Sequence, residues 1–281
     1  MIPVQIAMRG ITLKPTRRNM GGSAFDKLFK TCVPHILEQI FLSLDYESYK
    51  ACHLVCKDWN EMLSTESFKQ KASRILTENN VMLRSATRKG NVDEVRRILS
   101  KSMVDVNCDW ESFPGTLLCF AINEGHFKMV KILLDARADP NKVIKDGDTP
   151  LHVAACAGRK AIMKLLLDRG AEPNTGDKCG STPLHVAVNL LNVDLVKFLT
   201  KRGVDVDKPD DIGCSPLHTA TQMCGGVGRK SPKQRIIKKM IQVLLEAGAD
   251  PNKEDQSGQT PLSVARTGDQ RKYGHIRDIL S

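Results

Sequence analysis

The chain has 281 residues, 41% of them apolar and 26% charged, a balance that excludes a fully disordered or collagen-like polymer. No apolar run approaches the ~18 residues of a membrane-crossing helix, and with aromatics at only 5% the core must be aliphatic and alanine-based, which suits packed helices better than a β-sandwich. The net charge of +10 is concentrated rather than spread: residues 1–30 hold six basic residues and one acid, and residues 226–239 hold six basic residues and none. The remainder is close to neutral, so the molecule does not have the uniform basicity of a general nucleic-acid binder.

Residues 1–30 read as a basic, solvated tail. The lack of acids before Asp26 is a trait shared with mitochondrial presequences, but composition alone favours the tail. Nine cysteines are scattered along the chain. Their odd number, with no apolar signal region near the start, points to free thiols in a reducing compartment, hence an intracellular protein of the cytoplasm, the nucleus or both.

From His35 to Lys89 there is neither Gly nor Pro, which predicts nearly continuous helix. Apolar residues at Ile36, Leu37, Ile40, Phe41 and Leu44 keep a helical spacing, and a second cluster follows at Leu54, Val55, Trp59, Met62 and Leu63. So small a segment buries this much apolar surface poorly by itself, so it should dock on the rest of the chain or on a partner. The order Pro34-His35-Ile36-Leu37-Glu38-Gln39-Ile40-Phe41-Leu42-Ser43-Leu44-Asp45, followed by Leu54-Val55-Cys56-Lys57-Asp58-Trp59, resembles an F-box, here placed at residues 31–68. Cys32-Val33 stands where that family usually has Leu-Pro, and His35 where it usually has Glu. The resemblance implies docking on a Skp-type adaptor and, through it, a cullin-RING (SCF-type) ubiquitin ligase. Carried onto the matching positions, the docking residues are Pro34, Ile36, Leu37, Ile40, Leu44, Val55, Cys56 and Trp59. Cys52, His53 and Cys56 offer three donors with no second pair at zinc-ligand spacing, and no metal or other cofactor is expected.

A helical connector is expected at 69–82, and repeats begin at 83. Thr149-Pro150-Leu151-His152-Val153-Ala154 recurs 33 residues on as Thr182-Pro183-Leu184-His185-Val186-Ala187, 33 further as Ser215-Pro216-Leu217-His218-Thr219-Ala220, and 45 further as Thr260-Pro261-Leu262-Ser263-Val264-Ala265. A degraded copy, Thr116-Leu117-Leu118-Cys119-Phe120-Ala121, lies 33 residues earlier. Each unit reads as turn, short helix, turn, longer helix. The Thr or Ser caps the short helix and the Pro takes its first position, where the missing N–H costs nothing. The longer helices carry stripes such as Met129, Val130, Ile132 and Leu133, or Ile162, Leu165 and Leu166. Gly170, Gly203 and Gly248 follow them where a left-handed residue ends a helix. Arg137 holds that place in the degraded copy, at an expected cost of up to ~1 kcal/mol.

This period and pattern resemble ankyrin repeats over residues 83–281. Leu83 to Asn107 serve as a first, capping repeat and 253–281 as a shortened last one, for about five to six repeats including caps. The predicted fold is therefore all-α, an F-box followed by a cooperative solenoid. His152, His185 and His218 recur at the period. Stacking separates them by a whole unit, which rules out a shared metal ion, and the resemblance gives them a bracing role in the turn.

The resemblance implies binding through turn tips and the inner, concave face of the short helices. Tip candidates are Lys142, Lys145, Asp146, Asp177, Lys178, Asp210 and Asp211; helix candidates are Cys156, Arg159, Asn189 and Gln222. The step of 45 marks a 12-residue insertion at about 226–237. Gly225, Gly226 and Gly228 open it, Pro232 interrupts it, and a lengthened helix is expected to begin at Arg235. Its cluster of Arg229, Lys230, Lys233, Arg235, Lys238 and Lys239 suits an acidic or phosphorylated partner segment. Gly228-Arg229-Lys230-Ser231 is no phosphate loop, because Cys224 and Arg229 stand where its glycines belong. No Gly-x-Ser-x-Gly elbow occurs.

Together the two halves resemble a non-catalytic, substrate-recognition subunit of an SCF-type ubiquitin ligase. The F-box would hold the ligase, the repeats would hold a target protein, and ubiquitin transfer would be catalysed by partner subunits. A second reading is an ankyrin-type interaction scaffold in which the F-box-like segment only caps the repeats. A third, a nucleic-acid-associated protein, would need binding that falls steeply with salt, and neither membrane nor nucleic acid is the expected partner.

Overall fold

The computed structural model describes residues 66–100, 104–110, 115–226, 231–267 and 279–280. The chain divides into two units, Met1–Ser73 and Arg74–Ser281. Of the first, only Glu66–Ser73 is described, the start of helix α1 (Glu66–Arg88). Phe68 and Ala72 on it are buried.

The second unit is the repeat array. After α1 come α2 (Val92–Leu99), a two-residue antiparallel ladder of β1 (Asp109–Trp110) and β2 (Gly115–Thr116), then α3 (Leu117–Glu124) and α4 (Phe127–Asp135). The next units supply α5 (Pro150–Cys156) with α6 (Lys160–Asp168), and α7 (Pro183–Asn189) with α8 (Val193–Thr200). Last come α9 (Pro216–Gln222), a 3-10 turn at Met223–Gly226, α10 (Pro232–Glu246) and α11 (Pro261–Thr267). Apart from the short ladder, the regular structure of the described residues is helical, as the pattern predicts.

Each unit is an antiparallel helix pair stacked on the next, α3 on α5, α5 on α7, α7 on α9. The core is the line of aliphatic and alanine side chains between them: Leu117, Ile122, Met129 and Leu133 in one unit, Leu151, Ala154, Met163 and Leu166 in the next, all fully buried. Ile132 and Leu165 lie at the margin of their stripes, half-buried against this core. Leu83, Val95 and Ile98 close the first end.

Arg137 takes the left-handed conformation the register demands (φ 66°). A second residue does so unexpectedly. Leu191, with φ 56°, sits between α7 and α8 where the two preceding units have Gly125 and Gly158.

The insertion differs from its sequence reading. Pro232 does not interrupt it but opens α10, capped by Ser231, whose Oγ accepts from the Lys233 N–H. Proline lacks an N–H at a position where none is needed, so Ser-Pro here is a start signal. The helix therefore begins three residues before Arg235 and runs for 15 residues against 8 in α8.

Candidate functional site

The repeat surface is built on two ladders of hydrogen bonds that fix the turns. In the first, Thr149 N–H donates to His152 Nδ1 (3.1 Å) while His152 Nε2 faces the Ser181 carbonyl oxygen of the next unit (2.8 Å). His185 repeats this with Thr182 N–H (3.1 Å) and Cys214 O (3.1 Å), and His218 with Ser215 N–H (3.1 Å) and Gln259 O (3.0 Å). A donor on one side and an acceptor on the other select the neutral Nε2–H tautomer. Burial pushes the His185 imidazole pKa below its ordinary value. The histidines are structural braces, as the sequence predicts, and no group of metal-binding side chains occurs among the described residues.

The second ladder was not foreseen. Asn107 Oδ1 accepts from Asp139 N–H (2.8 Å), Asn141 from Glu172 (2.8 Å), Asn174 from Asp205 (3.0 Å), and Asp207 from Asp250 (3.1 Å). Each joins one unit to the next. The ladder's sequence signal is a beat of an acid, any residue, then Asn or Asp at the unit ends: Asp105-Val106-Asn107, Asp139-Pro140-Asn141, Glu172-Pro173-Asn174 and Asp205-Val206-Asp207.

On this frame the turn tips sort into two kinds. Asp177 and Asp210 face their own backbone: Asp177 Oδ1 accepts from Cys179 (2.8 Å) and Ser181 (3.0 Å), Asp210 Oδ1 from Ile212 (3.1 Å) and Cys214 (2.8 Å). They shape the tip rather than present charge. Lys142 is likewise engaged, its Nζ donating to Asn107 O (2.5 Å) and pairing with Asp109 (2.9 Å). Lys145, Lys178 and Asp211 stand at one equivalent position of three successive tips, and all are exposed. Gln256 continues the row and is exposed too.

Cys156, Asn189 and Gln222 are the last residues of α5, α7 and α9. They form one exposed row along the stacked short helices, which Asn123 of α3 extends. Gln222 Nε2 donates to Cys214 Sγ at 3.6 Å. Arg159 is not in that row. It precedes α6 and lays its guanidinium beside Gly125 of the previous unit, with Nη2 3.4 Å from Asn123 O. The six described cysteines are all free thiols. Burial raises the pKa of Cys119 and Cys214, and that of Cys224 to about 11. For Cys156, partial burial acts with Asp148 and Asp177 in the same direction. None of these four is an activated nucleophile.

The exposed side of the insertion faces the α7–α8 turn. Arg235, Ile236 and Lys239 line an open groove of about 550 Å³ with Leu190, Leu191, Asn192, Val193 and Asp194. Lys233 is exposed one turn earlier on α10. Arg229 and Lys230 lie outside the described residues. So do Pro34, Ile36, Leu37, Ile40, Leu44, Val55, Cys56 and Trp59.

Comparison with known families matches residues 33–71 to the F-box domain, and residues 82–177, 166–220 and 212–256 to ankyrin repeats. The chain is an F-box protein with C-terminal ankyrin repeats. Both modules are of families that work by binding other proteins, and no helix of the described residues is long and apolar enough to cross a membrane. This F-box–ankyrin chain is also similar to parts of larger proteins. It is 36% identical over 74 residues, 26% of its length, to a Caenorhabditis elegans homolog of transient receptor potential cation channel subfamily A member 1, of which the match covers 6%. It is 38% identical over 84 residues to the inactive serine/threonine-protein kinase TEX14 of Mus musculus and 42% identical over 82 residues to that of Bos taurus, in each case 28% of this chain and 5% of the other. The match thus spans about a twentieth of the length of these relatives.

Proposed function

We propose that this chain is the substrate-recognition subunit of an SCF-type ubiquitin ligase. The F-box would bind a Skp-type adaptor and, through it, a cullin-RING assembly; the ankyrin repeats would bind the protein to be modified. The observation that carries the reading is the order of modules, an F-box match at 33–71 followed at once by repeats from 82. A helical docking module spends its binding energy on a few buried aliphatic and aromatic anchors, and Ile36, Leu37, Ile40 and Trp59 are those anchors here. The chain breaks no bond itself in this scheme. It contributes proximity, holding the target where the ligase's conjugating partner can reach it.

Target recognition is assigned to the exposed rows, Lys145, Lys178 and Asp211 at the tips and Cys156, Asn189 and Gln222 along the short helices. The test is co-purification with a Skp-type adaptor, comparing the native chain with Leu37→Arg/Trp59→Ala and using circular dichroism to establish that both are folded. A complex formed by the native chain and lost in the folded variant supports the receptor role. A folded native chain with no adaptor complex would leave an interaction scaffold in its place.

A further inference from the structure

The insertion builds a feature the other units lack. Aligning the glycines that end the two helices, Gly203 and Gly248, sets Lys238 of α10 level with Val193, the first residue of α8. Residues 232–237 therefore project beyond α8 by about 9 Å at 1.5 Å per residue. One side of this overhang is inside the protein: Gln234 and Ile237 are buried, in register with Met240 and Ile241. The opposite side carries Arg235, Ile236 and Lys239 over the α7–α8 turn, and the space between them is the groove.

Three observations converge on it. Its walls hold two of the exposed large apolar residues, Leu190 (51%) and Ile236 (37%). Its charge is lopsided, because α10 has no acid before Glu246, and neither Arg235 nor Lys239 forms an ion pair with another described residue. Asp194 is the single acid in the lining. Finally, Leu191 holds a left-handed backbone at a turn position where the two preceding units use glycine, at a cost on the order of 1 kcal/mol. Leu191 is one of the residues that line the groove.

We propose that the groove between the overhang of α10 and the α7–α8 turn is a binding site for an acidic protein segment bearing an aliphatic side chain. The carboxylates pair with Arg235 and Lys239, and the aliphatic group packs on Leu190, Leu191 and Ile236. The apolar side chains among the lining favour a peptide, whose aliphatic groups can pack on them, over a nucleic-acid backbone, whose phosphates would use the cations alone. The inference deepens the receptor reading by naming where and how a target is held, yet it needs no adaptor to be tested.

The experiment is selection of a randomised displayed peptide library on the purified full-length chain, followed by affinity measurements on the enriched peptides. The expected peptides carry paired acids beside Leu, Ile or Val, and their affinity falls as salt is raised. Arg235→Glu/Lys239→Glu and, separately, Leu190→Ser/Ile236→Ser weaken them by about tenfold or more. Lys128→Glu/Lys131→Glu, on exposed α4, leaves them unchanged. All these positions are on the surface, and matching unfolding midpoints establish that the variants are folded. Replacing the peptide acids by phosphoserine distinguishes a phosphate-dependent target from a purely acidic one within the same site. No enrichment, enriched peptides without acids, or binding indifferent to both groove variants overturns the proposal. So does a single-stranded oligonucleotide that binds more tightly than any peptide and is lost with Arg235→Glu/Lys239→Glu. Adaptor co-purification is read separately, so failure here is not failure of the receptor role.

Discussion

His152, His185 and His218 each join three things: the cap of their own short helix, the turn before it and a carbonyl of the following unit. Because Nδ1 accepts and Nε2 donates, the added proton of an imidazolium would break the bond from the Thr182 N–H to His185 Nδ1. With its pKa lowered in the folded state, the unfolded chain takes up the proton first as pH falls below the ordinary value of about 6.5. This histidine's contribution is thus present above about pH 6.5 and lost below it. Urea midpoints should fall with pH in that window, and this fall should be smaller in His185→Gln. His185→Ala should cost about 2–4 kcal/mol, since it leaves the buried Thr182 N–H unpaired, takes one of two donors from the Cys214 carbonyl and opens a cavity beside them. The backbone supplies two more residue-scale predictions. Arg137→Gly, at φ 66° with an exposed side chain, should stabilise by about 0.5–1 kcal/mol. Gly170 and Gly180 have φ of 86° and 74°, but a β-carbon at Gly170 meets nothing within 4 Å, while at Gly180 it would lie 2.6 Å from the Asp211 nitrogen. Gly180→Ala should therefore destabilise clearly more than Gly170→Ala, in the same urea titration.

At the scale of the element, the helix pairs were legible in the sequence because capping residue, proline and aliphatic stripe all recur at one period, so each unit corroborates the others. What stayed hidden depends on neighbours. Asn141 and Asn174 look like turn residues until the next unit is placed, and then they are the bonds between units. Asp177 and Asp210 look like presented charges, because sequence does not show that their oxygens turn back onto their own tips. Pro232 reads as a break for the opposite reason: its meaning depends on Ser231 capping a helix whose start has no counterpart in the other units. The groove was invisible at this level, since it exists only where the overhang of α10 meets Leu190 and Leu191 of an earlier unit. The ladders predict the order of local opening. Amides of α5 to α8, bonded to units on both sides, should be the slowest to exchange hydrogen, and those of α2 and α11 at the two ends of the array faster. Uniform protection from end to end would contradict this.

At the scale of the whole molecule, the chain joins two modules of protein-binding families, an F-box and an ankyrin array. The repeat half offers rows of exposed side chains on a frame fixed by buried histidines and by asparagines that bond one unit to the next, with a basic, partly apolar groove beneath the lengthened α10. The F-box half is recognised by its residue order, with Cys32, Val33 and His35 as departures from the family's usual start. The central claim is that these two halves serve one act, bringing a target to a ligase. It is tested most directly by co-purifying the full chain with a Skp-type adaptor, beside Leu37→Arg/Trp59→Ala shown by circular dichroism to be folded. The account predicts a stable complex with the native chain and none with the variant. A folded native chain that forms no complex, or a folded variant that binds as well as the native chain, would contradict it.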